Sequence, residues 1–273
     1  MILSIIEFTK YLLLGLVQGI TEPLPISSSG HLIIFKNIFG VKMHDEINFN
    51  IIVNFASLIA IIFFYRKFLL GIIKGAFAFV FKKDATKKND FYYCLLIVVA
   101  TIPAGIAGLL LKDIIDNKFS TLLSVGISLF ITGLLLIFIH QRSKKTTTEE
   151  ISLKTSILMG CAQIIGLFPG ISRSGSTTSA GVLNKVNLEK ALRFSFMMYI
   201  PISVASLVLG IADLEVSKIY VSGYIGAFVA SLIGTYFAIK IFFKLVKGDN
   251  LKYFGYYCLV VSLLVLFFIA ITK

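Results

Sequence analysis

Charge is what this sequence has least of. Of its 273 residues only 15% are Asp, Glu, Lys or Arg, while 57% are hydrophobic, and the mean hydropathy is +0.92. Soluble domains carry about 25% charged residues. A soluble chain of this size would need far more polar surface to keep its outside solvated, so a soluble globular protein is excluded. Cysteine is also scarce. Cys94, Cys161 and Cys258 lie singly in or beside apolar stretches, without CxxC spacing. That excludes a disulfide scaffold and leaves them as small core or lipid-facing residues. Met1 to Ile6 lacks a basic n-region and no A-x-A site follows the first apolar run, so a cleavable signal peptide is not expected. What recurs from end to end is low-charge sequence of membrane-spanning length, which excludes disorder and collagen. The fold class expected is an all-α polytopic membrane protein, one membrane domain over 1–273.

The net charge of +12, from 26 Lys+Arg against 14 Asp+Glu, would suggest nucleic acid on a soluble chain. Here the basic residues sit mainly between apolar segments, so the membrane reading takes precedence and no nucleic-acid partner is expected. About 20 apolar residues cross the hydrocarbon core. Six segments qualify: about 47–65, 91–111, 119–139, 190–211, 219–243 and 253–271. Two further regions are broken. Region 2–40 is interrupted at Glu22-Pro23-Leu24-Pro25 and by Ser27-Ser28-Ser29-Gly30; region 151–185 is interrupted by Pro169-Gly170 and the Ser/Gly/Thr run 172–181. Broken backbone at membrane depth survives only where protein or water satisfies it, so each region reads as a re-entrant helix hairpin.

The two hairpins are related. A shift of 145 residues aligns Gly15 with Gly160, Gln18 with Gln163, Ile20 with Ile165 and Ile26 with Ile171. It also aligns Ser27 with Ser172, Ser29 with Ser174 and Gly30 with Gly175, seven identities in sixteen positions. The chain reads as an internal duplication, with repeat 1 at about 1–118 and repeat 2 at about 146–243. Three spans separate the hairpins, so the second enters from the opposite face, an inverted-topology repeat that brings two broken helices together near the midplane. One side receives Arg66, Lys67, Lys74, Lys82, Lys83, Lys87, Lys88, Arg142, Lys144, Lys145, Lys154, Lys244, Lys247 and Lys252. The other receives only Lys42, Lys112, Lys118, Lys218 and Lys273. The basic side is cytoplasmic by the positive-inside rule, which puts both termini outside. Segment 66–90 reads as an amphipathic helix along the cytoplasmic surface.

The polar residues inside these hairpins carry the chemistry. Gln18 and Glu22 are four apart, on one helical face. An ionised Glu22 in an apolar environment is expensive and therefore points to function, against the plainer reading of a glutamate reaching interfacial water. Ser27 is placed to cap a new helix, with Ser28 and His31 three apart in its first turn. A hydroxyl beside an imidazole can be a nucleophile with its base; the plainer reading is a polar cap with a structural histidine. In the second hairpin, Pro169-Gly170-Ile171-Ser172-Arg173-Ser174-Gly175-Ser176-Thr177 should expose backbone N–H groups at a helix start, an anion site to which Arg173 adds a bidentate fork. Small-residue packing alone would not explain a buried arginine. Together the two tips make a phosphate site set in lipid. Arg193 reads as an interfacial anchor, Asn54 as a helix–helix hydrogen bond, and His44 and His140 as solvated. The Phe and Tyr excess reads as lipid-facing and interfacial.

At these residues the sequence resembles the undecaprenyl-diphosphate phosphatases, also called bacitracin-resistance proteins, over nearly its whole length. One signature is an (E/Q)xxxE element, Gln18-Gly19-Ile20-Thr21-Glu22, leading into Leu24-Pro25-Ile26-Ser27-Ser28-Ser29-Gly30-His31. The other is PGxSRSxxT, met in full by Pro169 to Thr177. Phe49 to Arg66 and Arg193-Phe194-Ser195-Phe196 with Ile200-Pro201 look like further family segments. The chain departs from the pattern at Gln18 (allowed, but one charge fewer), at Pro23 for an aromatic, at Asn50 and Asn54 for an acid and a glutamine, and at Ala56 for a glycine.

The resemblance implies hydrolysis of the terminal phosphate of C55 polyprenyl diphosphate in the cell membrane, recycling the cell-wall carrier lipid. It implies Mg²⁺ or Ca²⁺ as cofactor and a cleft facing the outer surface. Carried over by position, Glu22 with Gln18 would hold the metal or position a proton. Ser28 would be the nucleophile, His31 its acid/base partner and Arg173 the clamp on the diphosphate, with attack by His31 or water left open. Ser27, Ser29, Gly170, Ser172, Ser174 and Thr177 would bind substrate. Expected partners are the polyprenyl diphosphate and membrane lipids, with a homodimer left open. Inverted repeats with broken helices are also transporter architecture, so movement of an anionic lipid or small anion, alone or with hydrolysis, stands as the alternative.

Overall fold

Every apolar run becomes a helix, because in lipid the backbone must satisfy its own hydrogen bonds. The computed structural model of the chain describes residues 2–40, 46–144, 148, 150–212, 220–247 and 250–272. The helices in chain order are α1 (Ile2–Thr21), α2 (Ser28–Ile38), α3 (Glu46–Lys82), α4 (Lys88–Phe119), α5 (Leu122–Ser143), α6 (Leu153–Ile165), α7 (Arg173–Leu183), α8 (Leu188–Ala212), α9 (Val221–Lys247) and α10 (Leu251–Thr272). Among the described residues the one trace of sheet is an isolated parallel bridge between Thr148 and Val186. Six helices are long and apolar enough to cross a membrane, those spanning Asn48–Lys82, Ala85–Phe119, Leu122–Ser143, Leu188–Gly210, Val221–Val246 and Leu251–Thr272. They coincide with the six spans read from hydropathy.

Two expectations change. The separate surface helix over 66–90 does not form. α3 runs unbroken for 37 residues, about 55 Å at 1.5 Å per residue, well beyond a hydrocarbon core of about 30 Å. Nothing between Phe64 and Lys82 breaks a helix, so the spanning helix simply continues. Asp84 caps a short 3-10 turn, Ala85–Lys87, from which α4 starts. His140, read as solvated, is only 5% exposed, because α5 continues past it to Ser143 and carries its ring inside. His44, Lys42, Lys145, Lys218 and Lys273 lie outside the described residues.

Small residues set the packing, as expected where lipid removes the hydrophobic drive between helices. α1 lies against α9 so closely that a methyl on Gly15 would stand 2.3 Å from the Ala227 carbonyl oxygen, and one on Gly19 2.4 Å from that of Ser231. α6 lies against α4 in the same way, a methyl on Gly160 standing 2.3 Å from the Ala100 carbonyl oxygen. Gly15 and Gly160 are the pair that the 145-residue shift aligns. α5 and α10, each 22 residues long, pack on each other, and Ile34 of α2 and Val182 of α7 join their apolar core. A second cluster joins α3, α8 and α9 through Ile61, Phe196 and Phe242. The short arms α2 and α7 are thus carried to the middle of the bundle.

Candidate active site

Both short arms begin with the same local chemistry. Ser27 caps α2, its Oγ accepting from Gly30 N–H at 3.3 Å, and Ser172 caps α7, its Oγ accepting from Gly175 N–H at 3.0 Å. Ser29 and Ser174 stand 3.3 Å from these cap hydroxyls. α2 and α7 are both 11 residues long, and 28 to 38 shifted by 145 is 173 to 183. Serine is a strong N-cap because its oxygen satisfies one of the first turn's unpaired donors.

The tips meet through backbone. Ser27 Oγ also accepts from Gly170 N–H at 3.1 Å, and a methyl on Gly30 would lie 2.9 Å from Gly170 Cα. Gly170 has φ +91°, and a methyl there would strike Ser128 Cβ at 2.6 Å, so both its conformation and its surroundings require glycine. Thr132 of α5 closes the junction. Its hydroxyl donates to the Gly170 carbonyl at 3.0 Å and accepts from Ser172 N–H at 3.1 Å. Ser27 itself has φ 68° and ψ 95°, a conformation a non-glycine residue adopts only when its surroundings hold it.

This junction brings Glu22 and Arg173 together. Arg173 Nη2 donates to Glu22 Oε1 at 2.5 Å, with side-chain exposures of 23% and 5%. Ser28 Oγ donates to Glu22 Oε2, and Gln18 Nε2 donates to the same oxygen at 2.8 Å and to Asn54 Oδ1 of α3 at 2.7 Å. One carboxylate therefore collects a guanidinium, a hydroxyl and an amide. The guanidinium lies over the Tyr199 ring of α8, 3.9 Å from its centroid, and the Tyr199 hydroxyl reaches the Asn54 carbonyl at 3.4 Å. Charges at such low exposure interact strongly, and removing either partner leaves the other uncompensated. Thr177, wholly buried, lies 2.6 Å from Ser195 Oγ and donates to the Arg173 carbonyl at 2.9 Å.

Of the residues singled out in sequence, Gln18, Glu22, Ser28 and Arg173 form one bonded set. Ser27, Gly170 and Ser172 build the junction beneath them, Ser174 and Thr177 line α7, and Ser29 is exposed. The hydroxyl–imidazole pair does not form as expected. The Ser28 hydroxyl is given to Glu22, while His31 Nδ1 donates to the Ser27 carbonyl at 2.8 Å and leaves Nε2 to accept from Tyr257 at 2.8 Å. The turn at 22–26 folds Glu22 back under Ser28, closer than the face-sharing of residues 28 and 31 on α2. Arg193 pairs with Glu189 at 3.4 Å and lies over Phe68. Asn54 does bond between helices, as read, but its partner Gln18 puts it in the site. Thr132, Tyr199, Ser195 and Tyr257 were not legible as site residues. Tyr199 had a signal, standing 145 residues after Asn54, and Ser195 lay in a segment resembling the family, Arg193-Phe194-Ser195-Phe196.

The donor set can be compared with a divalent cation. Among the described residues, no three His, Cys, Asp or Glu side chains converge. Glu22 is the one carboxylate of the bonded set, with Gln18 and Asn54 beside it to offer neutral carbonyl oxygens. That set fits a hard cation that binds through one carboxylate and completes its shell with phosphate oxygens and water, not a resident protein cage.

Residues 11–264 match the family model described as bacitracin resistance protein BacA. The chain is 42% identical over 264 residues to undecaprenyl-diphosphatase 2 of Bacillus thuringiensis, covering 95% of this chain and 97% of that protein. It is 41% identical over 267 residues to undecaprenyl-diphosphatase of Oceanobacillus iheyensis, covering 95% and 96%. To undecaprenyl-diphosphatase 1 of Bacillus licheniformis it is 37% identical over 264 residues, covering 95% and 97%. A match of this length places the chain in the bacitracin resistance protein BacA family.

Proposed function

We propose that the chain is an integral-membrane phosphatase that converts undecaprenyl diphosphate to undecaprenyl monophosphate and inorganic phosphate. The observation that carries this reading is the Glu22 carboxylate bonded at once by Ser28, Gln18 and Arg173 where two helix starts meet. Phosphoryl transfer needs alignment and charge neutralisation more than covalent help, and a guanidinium beside two helix N-termini supplies both. The long prenyl tail can stay in lipid while the diphosphate enters.

The resting Arg173–Glu22 pair opens as the diphosphate replaces the carboxylate on the guanidinium. Freed of that partner, Glu22 takes the Ser28 proton as Oγ attacks the terminal phosphorus. The bond to the bridging oxygen breaks and the lipid monophosphate leaves. Water then attacks the phosphoserine, and Ser28 Oγ leaves, recovering its proton from Glu22. His31, bonded to Ser27 and Tyr257, positions the start of α2. Glu22, with the carbonyl oxygens of Gln18 and Asn54, would hold Mg²⁺ or Ca²⁺, which supplies charge neutralisation at the phosphate.

The hairpins α1–α2 and α6–α7 are read as re-entrant, entering from opposite faces, with the cleft open to the outer surface of the cell membrane and both termini outside. The duplication is read over five helices in each half, α1–α5 and α6–α10, further than 118 and 243. The equal lengths of α2 and α7 and of α5 and α10 support this, as do the twin contacts of Gly15 and Gly160.

Phosphate release from C55 diphosphate by the purified protein tests the reading. Glu22→Gln, Ser28→Ala and Arg173→Ala should each lose about 10²–10⁴-fold, and His31→Asn markedly less. EDTA should abolish release, and Mg²⁺ or Ca²⁺ should restore it. A folded wild type that releases no phosphate with the cation present overturns the reading in favour of transport. A loss at His31 equal to that at Glu22 would move the base to the imidazole.

A further inference from the structure

Gln163 is the second-half twin of Gln18 and is buried to the same degree, each 1% exposed. The two amides differ in company. Gln18 is held by Glu22 and Asn54. A shift of 145 turns those positions into Leu167 and Tyr199. Leucine offers no hydrogen bond, and the Tyr199 hydroxyl is engaged with the Asn54 carbonyl. Neither Nε2 nor Oε1 of Gln163 has a partner in the protein. A primary amide buried without partners opposes folding, and an apolar side chain of the same size would not.

Its place points to the phosphate site. Gln163 lies in the last turn of α6, three residues before Gly166, so the two share a side of the helix end. Gly166 touches the backbone of Arg173: a methyl on it would stand 2.6 Å from Arg173 Cα and 3.2 Å from Cγ. Gly160, three residues before Gln163, faces Ala100 of α4, so Gln163 lies between that crossing and the point where α6 meets the start of α7, whose first residue is the arginine bonded to Glu22.

We propose that Gln163 is a substrate-binding residue whose amide N–H donates to a non-bridging oxygen of the diphosphate held by Arg173. The inference rests on the phosphatase reading. The first-half glutamine orders the carboxylate and the second-half glutamine receives the anion, so one duplicated residue has two tasks. A neutral amide suits this place, since a carboxylate there would repel the diphosphate.

The test uses the purified full-length protein as wild type, Gln163→Leu and Gln163→Glu. Melting temperature is measured with and without inorganic pyrophosphate, and kcat and KM for phosphate release from C55 diphosphate. Expected for Gln163→Leu is a melting temperature at or above wild type without ligand, a KM raised about tenfold or more, and a smaller stabilisation by pyrophosphate. Gln163→Glu should bind still more weakly. A Gln163→Leu protein that melts lower while KM and the pyrophosphate shift stay at wild-type values overturns the proposal, since the amide is then structural; so does one unchanged in every readout. If folded wild type releases no phosphate, the phosphatase reading fails by itself. The pyrophosphate shift then still decides, an equal shift in wild type and Gln163→Leu counting against the amide.

Discussion

Ser27 is where local strain and the junction coincide. Its oxygen accepts N–H groups from both hairpins, its carbonyl accepts from His31, and its φ of 68° is one that L residues avoid at about 1–2 kcal/mol. Ser27→Ala keeps the strained backbone and loses both Oγ bonds; Ser27→Gly loses the bonds but relaxes the strain. The alanine protein should therefore be less stable than the glycine protein by about 1 kcal/mol, read as the lower melting temperature in detergent. Equal stabilities would mean that the positive φ carries no strain. Much at this scale was legible. Glu22, Ser28 and Arg173 announce themselves as polar groups in apolar surroundings, and Ser27 as a cap. The pairing of Ser28 with Glu22 rather than His31 was not, because it depends on how the turn at 22–26 folds back.

Between elements the decisive features are glycines without room. Gly15→Val and Gly160→Val would push a side chain into the carbonyl of the facing helix, at 2.3 Å in both cases, and must force α1 from α9 or α6 from α4. Both should lower the yield of folded protein and its melting temperature. Gly71, inside α3, meets nothing within 4 Å, so Gly71→Ala should be neutral or stabilising by about 0.5–1 kcal/mol, its only effect being helix propensity. A Gly15→Val protein melting with wild type would refute the tight crossing. The helix breaks were visible in sequence, since Pro, Gly and serine caps mark where α1, α6 and their partners stop and start. The unbroken run of α3 through 66–82 was not, because the same apolar and basic pattern serves either a surface helix or the overhang of a long span.

For the whole molecule, the asymmetry of loop charge predicts which way it sits. In a cysteine-free background, Lys83→Cys, beyond the end of α3, and Thr121→Cys, between α4 and α5, lie at opposite ends of α4. A membrane-impermeant maleimide added to intact cells should label Thr121→Cys, while Lys83→Cys should need permeabilised cells. Labelling of both from one side would refute the spanning of α4, and the reverse pattern would invert the assigned orientation.

What the sequence alone determined was whatever depends on composition and local chemistry. Sparse charge and repeated 20-residue apolar runs specify spanning helices, since lipid permits little else. Two proline-marked breaks with serine caps, Pro23-Leu24-Pro25 and Pro169-Gly170, specify where the backbone turns, and a 145-residue echo relates them. Only tertiary structure decided which residues from separate helices complete the site: Asn54 from α3, Thr132 from α5, Tyr199 from α8 and Tyr257 from α10. The physical reason is that each is an ordinary side chain on an ordinary helix, set apart only by what packing brings within hydrogen-bond reach. The same holds for Gln163, whose missing partners show only when its twin's are seen.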